Sequence, residues 1–159
     1  MRTAVIVGNP KAKSRTLEAG VLVAKKLTGT EPDLTLDLIE LGPALLEWGN
    51  AKLNAAIEEV RRCNVVVVAS PTFKATYTGL LKLFLDQIPS DGLAGITCFP
   101  VMLGAGPAHA LAPDLLLKPV LVELGAICPA VGLYLIDKNY AEDPLLDAWV
   151  KRIKPLLPK

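Results

Sequence analysis

Two short runs of the chain carry apolar side chains on both faces of an extended strand, and they constrain the fold more than any other feature. TAVIV spans residues 3–7 and VVVVA spans residues 65–69. Strands of this composition are buried on both sides, which is typical of the centre of a parallel sheet covered by helices. The chain therefore favours the α/β class.

Strand-like and helix-like segments alternate along the whole sequence, as in βαβ units. Strands are predicted at residues 3–7, 34–39, 65–69, 96–103 and 127–136, and helices at residues 14–27, 50–63, 76–88, 109–124 and 144–157. The second strand, LTLDLIE, alternates in polarity and suits a sheet edge. We therefore expect a flavodoxin-like three-layer sandwich, with helices on both faces of a five-stranded parallel sheet in the order 2-1-3-4-5. Without a linker or repeat, one domain is expected over residues 1–159.

Three prolines interrupt these predicted elements. Pro100 lies inside the fourth strand, where it removes a donor from the ladder, so a bulge or an early break is expected there. Pro113 and Pro119 lie inside the fourth helical segment. They predict either a helix start near Pro113 or a kink ahead of Pro119.

The charge and cysteine content exclude several classes of function. Seventeen basic residues nearly balance sixteen acidic ones without any like-charge block, which argues against a nucleic-acid or membrane surface. The three cysteines, Cys63, Cys98 and Cys128, contain no CxxC pair, so neither a disulfide framework nor a metal site is expected. With no signal-peptide pattern at the N-terminus, the sequence predicts a cytoplasmic protein with buried, reduced thiols.

The stretch GNPKAKSRT, residues 8–16, joins the first strand to the first helix. It is not a P-loop, because Lys13 and Ser14 occupy the positions that require glycine and lysine. It is not a dinucleotide fingerprint either, because Pro10 and Lys13 replace the second and third glycines. The turn must therefore serve another anion or none.

Hydroxyl and guanidinium groups stand at the start of this helix, where free backbone N–H groups and the helix dipole favour an anion. Ser14 and Thr16 can donate hydrogen bonds, and Arg15 can make a two-pronged contact with a phosphate monoester. The alternative is that Ser14 is only a helix N-cap.

A second stretch, SPTFKATYTGLLKLFLDQ at residues 70–87, begins where the third strand ends. Its loop therefore lies at the same carboxyl edge of the sheet as the first turn, which is where open α/β sheets bind ligands. Pro71, Thr72, Phe73 and Lys74 can present backbone polar groups and an aromatic ring to a flat heterocycle. Phosphate in one loop and a planar ring in the next describe a mononucleotide.

These two stretches, together with GAGPAHALAPDLLLKPVL at residues 104–121, resemble the NADPH-dependent FMN reductase family of flavodoxin-like enzymes. The resemblance implies three groups of FMN-binding residues. Ser14, Arg15 and Thr16 would hold the phosphate; Pro71, Thr72, Phe73 and Lys74 would line the isoalloxazine ring; Gly104, Ala105 and Gly106 would approach the ring from another side.

The resemblance implies an NAD(P)H-dependent FMN reductase that transfers a hydride to FMN by positioning alone, without a catalytic side chain. Reduced flavin would then pass to a monooxygenase. The alternatives are a reductase that uses bound FMN to reduce a quinone, an azo dye or a metal ion, and a flavodoxin-like electron carrier. The sequence does not decide between NADPH and NADH, and His109 is expected to be a polar first-turn or interface residue.

The predicted helix at residues 76–88 is apolar over a wider arc than one sheet face requires. The surplus apolar surface predicts a subunit contact, and the resemblance implies a homodimer or homotetramer through this helix. Trp48 and Trp149 are expected to be packing anchors.

Overall fold

The structure of the protein is a computed structural model that describes residues 1–158. It contains one parallel sheet with strand order β2-β1-β3-β4-β5, which confirms the predicted order. The strands are β1 (Thr3–Val7), β2 (Leu34–Asp37), β3 (Val65–Pro71), β4 (Thr97–Gly104) and β5 (Leu133–Ile136). The helices are α1 (Arg15–Thr28), α2 (Ala51–Arg61), α3 (Gly79–Leu85), α4 (Lys118–Glu123) and α5 (Pro144–Ile153).

Helices cover both faces of the sheet, so two separate cores flank it. On one face α1 and α5 pack against the odd-numbered residues of β1, such as Val5 and Val7. On the other face α2, α3 and α4 pack against its even-numbered residues, such as Ala4 and Ile6. This arrangement is the expected three-layer sandwich, and it explains why β1 and β3 are buried at every position.

Strand β4 contains Pro100 without a bulge, so the predicted interruption is wrong. The register pairs Pro100 with Val68 of β3, and the strand runs on to Gly104. The backbone N–H groups of the even-numbered residues of β4 point towards β5, as the hydrogen bond from Cys98 N–H to Ile127 O shows. Pairing with β5 resumes only at Val101, so the missing donor of Pro100 falls in a gap of the ladder.

The fifth strand begins later than expected, on the other side of the same gap in the ladder. Ile127 makes one isolated parallel bridge to Thr97, and β5 then starts at Leu133 instead of continuing from residue 127. In the gap the Val131 carbonyl accepts a hydrogen bond from the Trp149 indole N–H at 2.9 Å. A side chain of α5 thus satisfies a backbone group that a continuous ladder would have paired.

The segment after β4 is not one helix. It forms a 3-10 turn at Pro107–His109, a π-helical turn at Pro113–Leu117 and then α4. The start at Pro113 and the change of helix type just ahead of Pro119 confirm the effect expected of these two prolines. Helix α3 is also shorter than predicted, because Thr78 caps it and the residues before it form a tight turn.

The two tryptophans have different environments. Trp149 is 4% exposed and meets Phe99 edge to face at 5.7 Å, so its predicted packing role is confirmed. Trp48 is 79% exposed, so the same prediction for it is wrong within this chain. It follows a pair of 3-10 turns at Leu38–Leu46, between which the backbone bends at Gly42. Within residues 1–158, no helix is both long and apolar enough to cross a membrane.

Replacing Gly8 by alanine is expected to destabilise the fold by about 1–3 kcal/mol, because overpacking forces neighbouring backbone to shift. A Cβ at Gly8 would lie 2.5 Å from the Cβ of Leu81 in α3. Urea denaturation of Gly8→Ala measures the loss. Gly79→Ala is the matched control, since no atom lies within 4 Å of its added Cβ. Equal stability of the two variants would contradict the close approach of β1 and α3.

Candidate functional site

A cleft of about 410 Å³ opens at the carboxyl edge of the sheet, where the loops after β1, β3 and β4 meet. Arg15 and Phe73 both line it, although they lie far apart in the sequence. Its complete lining is Asn9, Lys11, Lys13, Ser14, Arg15, Thr16, Glu18, Pro71, Thr72, Phe73, Leu103, Gly104, Ala105 and Asp137. Eight of the ten predicted site residues are therefore brought together, and the volume is that of a ligand pocket.

The N-terminus of α1 forms one end of the cleft. Ser14 is the helix N-cap, and its hydroxyl accepts a hydrogen bond from Leu17 N–H at 3.3 Å. The capping role and the anion-binding role are compatible, because the hydroxyl hydrogen of Ser14 stays free to donate. The N–H groups of Ser14, Arg15 and Thr16 have no acceptor within residues 1–158. Three free donors at the positive end of a helix dipole are suited to a phosphate.

Side chains at this end are held by polar contacts that the sequence analysis did not predict. The Asn9 amide donates to the Thr16 hydroxyl oxygen at 2.9 Å, which leaves the hydroxyl hydrogen available to a ligand. Arg15 Nη1 lies 3.2 Å from Asp137 Oδ2, at the end of β5. An incoming anion would therefore have to share Arg15 with Asp137 or take its place.

The loop after β3 also lines the cleft. Phe73 and Thr76 pair across a tight turn in which Lys74 and Ala75 both have positive φ, at 51° and 71°. This is the geometry of a type I′ turn, and each non-glycine residue in it costs on the order of 1 kcal/mol. The strained turn leaves Phe73 49% exposed beside the cleft.

The backbone N–H groups of this loop are not all free. Thr72 N–H donates to Leu103 O at 2.7 Å, and Phe73 N–H donates to Thr76 O at 2.9 Å. The N–H groups of Lys74 and Ala75 have no acceptor within the described part of the chain. Within this loop the free backbone donors are therefore those of Lys74 and Ala75, although neither residue lines the cleft.

Two hydrogen bonds join the loops after β1 and β3. Gly8 N–H donates to Ala69 O at 2.9 Å, and the Thr78 hydroxyl donates to Gly8 O at 2.5 Å. Thr78 also caps α3 and donates its own N–H to Ser70 Oγ at 3.1 Å. The distance between the two ends of the cleft is therefore set by a buried polar network.

The loop after β4 closes the third side. A Cβ at Gly104 would lie 1.8 Å from the Tyr134 hydroxyl oxygen, so only glycine allows the tyrosine to cover this position. The Tyr134 hydroxyl donates to Gly106 O at 2.9 Å and thereby holds the loop. Gly104 and Ala105 line the cleft, whereas Gly106 lines an adjoining hollow of about 520 Å³ that also contains the exposed His109.

Two buried polar atoms in the cleft have no hydrogen-bond partner within residues 1–158. They are Thr72 Oγ1 and Asp137 Oδ1. Buried polar atoms are rarely left unpaired, so these two suit a polar ligand in the cleft. A hydroxyl and a carboxylate oxygen together suit a chain of hydroxyl groups.

Asp37, at the end of β2, is a further buried acid close to the cleft. It is 6% exposed, and its Oδ2 accepts a hydrogen bond from Lys13 N–H at 3.1 Å. Burial raises the pKa of Asp37 above its ordinary value of 3.8, and the bond from Lys13 opposes only part of this shift. Its other oxygen, Oδ1, is buried without a partner.

The predicted site residues did not include Asn9, Asp37, Asp137 and Tyr134, which line or adjoin the cleft. Three of them had a detectable signal. Asp37 and Asp137 are the polar residues at the carboxyl ends of the two edge strands, and Asn9 follows β1. Tyr134 had none, because only the packing of β5 against β4 places its hydroxyl over Gly104.

The three cysteines are free, as expected. Cys63 and Cys98 are buried, and Cys128 is partly buried. Burial raises the pKa of all three thiols, for Cys128 to about 11. At neutral pH they are therefore protonated and poor nucleophiles.

The sheet order and the cleft at the carboxyl edge of the sheet define a flavodoxin-like α/β protein. The chain matches the family described as "NADPH-dependent FMN reductase" over residues 1–141. It belongs to that family. The prediction of an NAD(P)H:FMN oxidoreductase is thereby confirmed.

Individual relatives agree with this assignment. The chain is 32% identical over 130 residues to an "FMN reductase (NADPH)" of Escherichia coli K12, covering 79% of this chain and 68% of the relative. It is 25% identical to the "NADH-dependent FMN reductase SfnF" of Pseudomonas putida, covering 99% and 89% of the two chains.

Among solved structures, the apo form of the NADH:FMN oxidoreductase EmoB matches with a TM-score of 0.88 and 30% identity. The match covers 99% of this chain and 90% of that one. The azoreductase AzrA, at 10% identity and a TM-score of 0.60, shares the fold alone.

The replacement Asp37→Asn is expected to stabilise the protein increasingly as pH rises. Because the pKa of Asp37 is raised in the folded state, its favourable contribution is present at low pH and is lost as pH rises from 3.8 through the raised value. Asparagine keeps an oxygen for Lys13 N–H and does not ionise. Thermal melts of both proteins between about pH 4 and about pH 7.5 measure the difference. A difference in Tm that is independent of pH would contradict this assignment.

Proposed function

We propose that this protein binds FMN in the cleft at the carboxyl edge of the sheet and reduces it with NAD(P)H. The observation that carries the proposal is that Arg15 and Phe73, far apart in the sequence, line one cleft. A phosphate-binding helix start and an exposed aromatic ring across about 410 Å³ suit a flavin mononucleotide.

The phosphate end would be formed by α1. Ser14 and Thr16 would each donate a hydroxyl, the three free N–H groups would surround the phosphate oxygens, and Arg15 would add a charge-assisted contact. The unpartnered Thr72 Oγ1 and Asp137 Oδ1 would bind the ribityl hydroxyls between phosphate and ring. Each of these roles uses a donor or acceptor that the folded chain leaves available.

The ring end would be formed by Pro71, Thr72, Phe73 and Lys74 on one side and by Gly104, Ala105 and Gly106 on the other. Since the N–H groups of Thr72 and Phe73 are engaged within the chain, donors to the pyrimidine edge of the ring would come from the N–H groups of the Lys74 and Ala75 turn. The absence of a Cβ at Gly104 leaves room for the Tyr134 hydroxyl on this side.

FMN, when bound, supplies the hydride-accepting chemistry, with NADPH or NADH as donor. The chain contributes by holding the ring in place and by leaving one side open to the nicotinamide, so positioning accounts for most of the acceleration. No acid or base is required. Among the residues that line the cleft, the acids Glu18 and Asp137 engage Tyr140 and Arg15. The only histidine, His109, lies in the adjoining hollow.

Steady-state oxidation of NADPH and of NADH by the purified protein tests this function. Saturable dependence on added FMN supports an FMN reductase that releases its product to an acceptor such as a monooxygenase. Activity that needs only a quinone, an azo dye or a metal ion supports the alternative in which FMN remains bound. No oxidation of either nucleotide in the presence of FMN together with each of these acceptors would contradict both.

Arg15→Ala is expected to weaken FMN binding by about 1.5–3 kcal/mol, the usual cost of losing a hydrogen bond to a charged group. Riboflavin, which has no phosphate, should bind both proteins alike. Quenching of flavin fluorescence measures both affinities. Arg62→Ala, at the end of α2 outside the cleft, is the matched control for the loss of a cation. Equal losses for FMN and riboflavin would place Arg15 away from the phosphate.

We also propose that the protein is a cytoplasmic homodimer or homotetramer, assembled through the segment at residues 76–88. Free thiols are usual in the cytoplasm. Leu81, Phe84 and Leu85 of α3 are buried against the sheet, whereas Leu83 of the same helix is 37% exposed. A second copy of this chain would cover that surface.

Leu83→Glu is expected to yield a monomer, because a charge in an apolar subunit contact is costly to bury. Light scattering after size-exclusion chromatography measures the molar mass. Leu156→Glu, at an exposed position near the C-terminus, is the control and should leave the assembly unchanged. Retention of the wild-type mass by Leu83→Glu would place the contact elsewhere.

A further inference from the structure

The acid at the end of β2 contacts the proposed phosphate site through one backbone group. Asp37 is 6% exposed, and its Oδ2 accepts a hydrogen bond from Lys13 N–H at 3.1 Å. It does not line the cleft itself. A buried acid with one unpartnered oxygen is an unfavourable arrangement for stability alone, so the contact with Lys13 calls for a functional explanation.

Lys13 occupies a backbone conformation that a lysine rarely adopts. Its φ is 52°, in the left-handed region, and it immediately precedes the N-cap Ser14. Such strain persists where the surroundings hold it, and it is concentrated at functional sites. The bond to Asp37 is the one that the structure shows on the Lys13 N–H group.

The N–H group of Lys13 has a hydrogen-bond acceptor within residues 1–158, whereas the next three N–H groups do not. Within residues 13–16, the N–H of Lys13 is turned towards Asp37, whereas those of Ser14, Arg15 and Thr16 have no acceptor in the described chain. The left-handed residue is thus the point at which the backbone changes from facing the protein to offering free donors. Without a partner for Lys13 N–H, the turn could relax and these donors would no longer converge.

We propose that Asp37 is a positioning residue for the phosphate of the flavin. It keeps Lys13 in the left-handed conformation and so directs the N–H groups of Ser14, Arg15 and Thr16 towards one point. This inference rests on the FMN site proposed above. Because Asp37 acts on the phosphate end only, its loss should weaken FMN and spare riboflavin.

Flavin affinities of the Asp37→Ala and Asp37→Asn variants test the inference, with FMN and riboflavin as the two probes. Asp37→Ala is expected to raise the Kd for FMN at least about tenfold while the Kd for riboflavin changes less than about twofold. Asp37→Asn is expected to keep the wild-type preference for FMN, because its amide oxygen accepts from Lys13 N–H. In steady-state assays Asp37→Ala should raise KM for FMN and leave kcat unchanged.

Distinct outcomes separate this inference from the proposed function. If the wild-type protein binds FMN no more tightly than riboflavin, the phosphate site itself is wrong. If it prefers FMN and Asp37→Ala keeps that preference, or loses both flavins equally, Asp37 has no positioning role. Asp37→Ser, whose hydroxyl is too short to reach Lys13, repeats the test if the alanine variant is insoluble. Failure of both variants to fold would assign Asp37 to stability and overturn the inference.

Discussion

The candidate site depends on one hydrogen bond that extends the β1–β3 ladder beyond the end of β1. Gly8 N–H donates to Ala69 O at 2.9 Å, so the first residue of the loop after β1 keeps the register of the sheet. The Thr78 hydroxyl then binds the Gly8 carbonyl at 2.5 Å and brings the start of α3 to the same point. Glycine is required here because α3 packs directly on its Cα. The loops that form the two ends of the cleft are therefore fixed to each other before any ligand binds.

The loops at the cleft, held by this sheet, carry charged side chains and strained backbone conformations. Lys11, Lys13 and Arg15 line the cleft beside the start of α1, and Arg15 pairs with Asp137. The chain as a whole is close to neutral, so the local concentration of positive charge is a property of the site. Left-handed residues lie at both ends of the cleft, at Lys13 and in the turn that follows Phe73. The strained backbone at these positions is held in place by the hydrogen bonds and packing of the buried sheet next to them.

Much of this architecture could be predicted from local patterns. The fully apolar strands β1 and β3 were predicted closely, because burial on both faces leaves a clear signature. The predicted start of β5 was wrong. Between Ile127 and Leu133 the chain does not pair with β4, opposite Pro100, and the effect of that proline depends on the neighbouring strand. Trp48 was misplaced for a similar reason. The apolar character of Trp48 does not show whether its side chain packs against the core of the folded chain.

The sequence by itself determined the fold class, the strand order and the three stretches that form the cleft. It could do so because periodicity, turn chemistry and the helix start are properties of neighbouring residues. Tertiary structure alone decided that Asp37 and Asp137, from the two edge strands, would reach the same helix start. It also decided which backbone donors stay free, because a hydrogen bond such as Thr72 N–H to Leu103 O forms only when distant strands pair. The physical reason is that contacts between residues far apart in the chain depend on packing, which leaves no local pattern to read.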